Sequence, residues 1–185
     1  MKYFNIVSLK LVMLITFVWC SLLSLSQTDK IHLTNAMVVG QMDKAEDRYT
    51  LEINLTELLS ESGITALPSL NMLKTGSDPV LLSSDSIQNI LKQKGIDTYV
   101  LVSIRGYDKN FKRSQGKQSL YDALGSGNLF PIYREDVTSV TFEFLFFRGG
   151  NFVASDLLKC GNVSNKDSVI KRFRKHMEKK IQTWK

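Results

Sequence analysis

Cysteine, histidine and proline are scarce in this 185-residue chain, at two, two and three residues, and each scarcity closes off a class of explanation. Two cysteines cannot build the multi-bridge framework of a small disulfide-stapled domain. His32 and His176 stand far apart, and neither has a partner at ligand spacing, so no metal site is expected. Three prolines and eleven glycines exclude a fibrous or linker-like chain. No apolar run reaches the roughly 20 residues that a spanning helix needs. The longest, residues 11–25, dilutes into serine. Catalytic signatures are missing too: no Gly-x-Ser-x-Gly elbow occurs, and Gly125-Ser126-Gly127 has no strand leading straight into it and no third glycine. Cys160 has only Lys159 beside it to lower its pKa, and its simplest reading is a buried thiol. No catalytic, cofactor-binding or metal-binding residue is predicted, and no cofactor.

What is present describes an ordinary folded chain. Hydrophobic residues make up 43% and charged residues 23%, the composition of a globular domain rather than a disordered one. The length suits one domain. The net charge of +6 is the single compositional excess.

The N-terminus has three zones. Lys2 and Lys10 give it positive charge, residues 11–25 form an apolar core, and Ser24 and Ser26 flank Leu25 as small residues ahead of Gln27. This is the order of a secretory signal, which assigns residues 1–26 to a cleaved leader and residues 27–185 to one α/β domain. An uncleaved membrane anchor and a lipid anchor at Cys20 are the alternatives. Trp19 is too bulky for the tight pocket of a lipoprotein peptidase, so the anchor at Cys20 is disfavoured. Cleavage before Gln27 removes Lys2 and Lys10, leaving 22 basic residues against 18 acidic ones, a net of +4. The protein is therefore expected in the periplasm or at the cell surface.

Periodicity predicts strand over 31–40, helix over 43–62 with Gly63 as its stop, and a short extended segment over 64–73 interrupted by Pro68. A second helix is expected from Ser84 or Asp85 to Gly95, then a strand over 98–104 that is apolar on both faces. That alternation implies crossover units and parallel pairing. Residues 105–136 form a long polar connection with a helical turn near 120–124. A strand over 137–148 follows, with Val140, Phe142, Phe144 and Phe146 on one face and Thr141, Glu143, Leu145 and Phe147 on the other. Gly149-Gly150-Asn151 signals a hairpin into a returning strand, and a helix closes the chain over about 165–184. The fold class expected is mixed α/β: a β-α-β-α-β parallel unit, an antiparallel hairpin and a terminal helix, with about five strands.

Val38-Val39-Gly40, Arg48, Glu52, Leu55, Leu59, Gly63 and Ala66-Leu67-Pro68-Ser69 form a series that continues through Ile87, Leu91, Gly95-Ile96-Asp97 and Val100-Leu101-Val102. This series resembles a widespread, uncharacterised set of Gram-negative envelope proteins, many of them lipoproteins, and covers residues 31–105. The unit is also similar to the small α/β domain at the N-terminus of the periplasmic protein TolB, which contacts other envelope proteins. The resemblance implies an exported protein with a partner in the envelope. It brings no catalytic residues with it.

Two surfaces remain as functional leads. Residues 165–185 carry eight basic residues against Asp167 and Glu178, a net of +6 that exceeds the excess of the whole mature chain. Val169, Ile170, Phe173, Met177, Ile181 and Trp184 form an apolar face that docks this helix, with cations near its C-terminus also suiting its dipole. Lys171, Arg172, Arg174, Lys175, Lys179 and Lys180 are then the candidate contacts for an anionic membrane surface or an acidic envelope protein. Nucleic acid is not an expected partner, because no aromatic stacking pattern accompanies the basic residues. The alternative lead is a crevice at the C-terminal ends of the parallel strands, with Gln41, Asp43, Ser69, Asn71 and Arg105 as groups for a small ligand or a hydrolytic reaction.

Overall fold

The computed structural model describes residues 31–74, 76–115, 118–126 and 129–185. The leader expected over 1–26, with Cys20, lies outside the described residues. Five strands form one mixed sheet: β1 (Asn35–Gln41), β2 (Thr65–Pro68), β3 (Thr98–Tyr107), β4 (Ser139–Arg148) and β5 (Asn151–Gly161). Among the described residues four helices accompany them: α1 (Ala45–Glu61), α2 (Asp85–Gln93), α3 (Leu120–Gly125) and α4 (Lys166–Gln182). The spatial order is β2-β1-β3-β4-β5. β1 pairs in parallel with β2 and β3, while β3–β4 and β4–β5 are antiparallel. The fold is therefore mixed α/β.

Chain direction explains the layering. The crossover from β1 moves outward to β2, and the next one returns past β1 to β3. Right-handed connections running in opposite directions place their helices on opposite faces of a sheet. Accordingly, Leu51, Leu55, Leu58 and Leu59 of α1 join Val38, Val100, Val102 and the Phe142–Phe144–Phe146 face of β4 in one core. Leu91 of α2 joins Met37, Val39, Leu101, Leu145 and Phe147 in the other. Helix α4 completes the first layer; α3 and the segment Pro79–Ser83 complete the second. The side-chain alternation expected along β4 matches these two cores.

Several boundaries shift for local reasons. His32 has φ of 45°, which interrupts the extended run and delays β1 until Asn35. β2 ends at Pro68, and a 3-10 turn (Ser69–Asn71) follows immediately. Another 3-10 turn, Pro79–Ser83, carries Pro at its first position and is capped by the Asp78 carboxylate, which accepts from Val80 N at 2.9 Å. The β4–β5 loop is only Gly149-Gly150, with φ of 55° and 82°. Positive φ at both residues suits the two-residue hairpin loop that follows strand twist, and Asn151 already belongs to β5.

Candidate functional site

Helix α4 is fixed first at its N-terminus. Asn165 Oδ1 accepts from Ser168 N at 2.8 Å, and Ser168 Oγ accepts from Asn165 N at 3.1 Å, a reciprocal capping box. Val169, Phe173, Met177 and Ile181 are buried at helical spacing, with Trp184 beyond them. Phe173 lies 4.8 Å from Phe142 between ring centroids, and Trp184 lies 5.0 Å from both Phe144 and Phe146. Trp184 is also tied polarly: its indole N–H donates to Asp156 Oδ2 at 2.9 Å, and its carbonyl accepts from Leu33 N at 2.7 Å.

Docking divides the candidate cations of α4 into two groups. Arg174 donates to Asn54 Oδ1 at 2.8 Å and to Glu57 Oε2 at 2.7 Å on α1. Lys180 reaches the buried Asp156 at 2.8 Å. Arg172 is half-buried, and its charge acts on Cys160. Lys171, Lys175 and Lys179 remain exposed, one helical turn apart. Among the described residues none of the three has an acidic partner at ion-pair distance. Cys160 itself is fully buried, and burial pushes its thiol up to about 12.

The strand-end residues also divide. Ser69 is buried beneath the end of β1, donating to Glu52 Oε1 at 2.7 Å and accepting from Arg48 at 2.7 Å. Glu52 is wholly buried and further accepts from Gly40 N at 2.8 Å, Arg48 Nε at 2.9 Å and Leu70 N at 3.2 Å. A Cβ on Gly40 would stand 3.2 Å from Cγ of both Arg48 and Glu52. The Gly40–Arg48–Glu52–Ser69 part of the family-like series is thus a clamp joining β1, α1 and β2. Asn71, at the end of the 3-10 turn, is exposed, and so is Asp43. Asp43, after burial and together with Asp47, helps hold the Tyr107 hydroxyl up at about 12, against the opposing charge of Arg134.

Gln41 and Arg105 do converge. They line a cavity of about 480 Å³ on the α2–α3 face, together with Ser103, Ser114, Gln118 and Glu143. Leu129, Phe130 and Leu145 supply its apolar side. Gln41 is buried and donates to Ala123 O at 2.7 Å. Glu143 is 5% exposed, accepts from Ser114 Oγ, and faces Arg105 at 3.4 Å. The candidate set read from the sequence omitted Glu143. Its signal was a lone carboxylate between Phe142 and Phe144, a placement that needs a compensating group. Among the described residues no group of three or more His, Cys, Asp and Glu side chains is arranged to hold a metal ion. No helix among them is long and apolar enough to cross a membrane.

No protein-family model matches the chain, and no curated protein sequence matches it. Solved structures do. The chain is similar to a lipoprotein from Neisseria meningitidis, with 10% identity over 80% of this chain and 96% of that one, at a TM-score of 0.43. It is also similar to the PelC dodecamer from Paraburkholderia phytofirmans, with 10% identity, 80% and 87% coverage and a TM-score of 0.41. A point variant of that PelC matches at 10% identity, 84% and 90% coverage and a TM-score of 0.42.

Proposed function

We propose that this protein is an exported, non-catalytic envelope component that binds an anionic envelope surface through the outer face of α4. The observation that carries the reading is the row Lys171, Lys175 and Lys179, exposed and without acidic partners among the described residues, while Arg174 and Lys180 of the same helix are paired with Glu57 and the buried Asp156. Successive lysines lie about 6 Å apart along the axis. The buried face of the helix is already occupied by the sheet, so the outer face offers charge rather than an apolar anchor. Compact, rotatable ammonium groups in a line suit phosphate-bearing headgroups better than they suit a shaped protein pocket. Export is supported by the charged, apolar and small-residue zones of residues 1–26.

Cosedimentation with anionic phospholipid vesicles tests the surface. At about 1 kcal/mol per lysine near an anionic surface, replacing all three by glutamate should weaken binding by at least about 100-fold, and added salt should mimic the effect. Equal sedimentation of the native protein and the triple variant refutes membrane binding through α4. Intact mass of the exported protein tests the leader, with Gln27 expected as the first residue rather than an acylated Cys20.

A further inference from the structure

Among the described residues four carboxylates are buried, and they are not compensated alike. Glu52 has Arg48 at 2.9 Å, Asp47 has Lys166 at 2.5 Å, and Asp156 has both Arg113 and Lys180 at 2.8 Å. Each of those three also takes at least one backbone N–H. Glu143 is as buried as Asp47 and Asp156, yet among the described residues it has one serine hydroxyl and one guanidinium at 3.4 Å. Arg105 is about as exposed as Lys166 and Arg113, at 43% against 39% and 54%, so what sets Glu143 apart is its longer contact and, among the described residues, the lack of a backbone N–H donor. A carboxylate offers about four acceptor positions, and a buried one left short of donors is costly. Glu143 also differs from the other three in lining the 480 Å³ cavity, a volume within the range of small-molecule sites.

We propose that this cavity binds a small zwitterion of the amino-acid kind, with its ammonium on Glu143 and its carboxylate on Arg105. The ammonium supplies the close cation that Glu143 lacks among the described residues. Arg105, held only loosely by Glu143, keeps donors for a carboxylate, which a guanidinium accepts in a planar, two-bond pairing. An α-amino acid separates its two charges by a few ångströms, comparable with the separation of Arg105 and Glu143. Leu129, Phe130 and Leu145 form the wall against which an apolar side chain packs. The cavity lies on the opposite face of the sheet from α4, so its occupancy and the binding of an anionic surface are independent.

Titration calorimetry with the twenty amino acids, followed for leucine by 3-methylbutylamine and 4-methylpentanoate, tests the assignment. Leucine should bind at least tenfold more tightly than either single-charge analogue. Arg105→Ala should lose tenfold or more for leucine and leave the amine unchanged, whereas Glu143→Gln should lose both. Glu143→Gln should also raise the melting temperature of the ligand-free protein, because it removes an under-compensated charge from a site built for a ligand. Binding by none of the amino acids, or equal leucine binding by native protein and Glu143→Gln, overturns the proposal. A fall in melting temperature for Glu143→Gln would make Glu143 a structural carboxylate and overturn it as well.

Discussion

Glu52 shows how much a single buried side chain organises here. It collects donors from Gly40, Arg48, Ser69 and Leu70, so its charge is met from a strand end, its own helix and the turn after β2. Removing one member of such a buried, hydrogen-bonded ion pair strands the other and costs about 3–5 kcal/mol. Glu52→Gln should lower the unfolding free energy by that amount in urea titrations. Gly40 belongs to the same clamp, because a Cβ there would stand 3.2 Å from Cγ of Arg48 and of Glu52, so α1 would have to give way to admit a side chain. Cys160 is a different case: nothing is asked of it except volume. With its thiol held near 12 by burial, it stays protonated and inert at neutral pH. A thiol reagent at pH 8 should leave it unmodified in the native protein and label it fully in denaturant.

Among the elements, α4 and the β4–β5 hairpin form the most self-specified part of the chain. The apolar stripe and the glycine loop are local signals, and each was readable because its period or its backbone requirement shows in consecutive residues; the capping box at Asn165 and Ser168 emerges from the structure. The end of α4 has a role that periodicity does not convey. Trp184 lies past the helix and covers Phe144 and Phe146 while its indole satisfies Asp156. Trp184→Ala removes that cover and should cost about 3–5 kcal/mol, seen as an earlier denaturation midpoint. β2 was harder to read. Ser69 and Asn71 sit two apart, as on one face of a strand, but the 3-10 turn that starts at Ser69 points it inward and leaves Asn71 exposed.

At the scale of the whole molecule, Asp156 joins parts of the chain that share no local signal: β5 itself, Arg113 from the long connection, and Lys180 and Trp184 from the C-terminal end. Asp156→Ala should cost about 3–5 kcal/mol, and combining it with Lys180→Met should cost less than the sum of the two single changes, because they share one interaction. A double-mutant cycle in denaturant reads this directly. The same long-range assembly forms the cavity, where Gln41 from β1, Arg105 from β3 and Glu143 from β4 meet Ser114 of the connection. By itself the sequence determined the element types, the two-faced character of β4 and the excess charge of the last helix, since these follow from local periodicity and composition. Only the tertiary structure decided which lysines of α4 stay outside, that Ser69 serves a clamp rather than a crevice, and that Glu143 lies under Arg105. Those outcomes depend on how distant segments pack, and packing leaves no trace in the spacing of neighbouring residues.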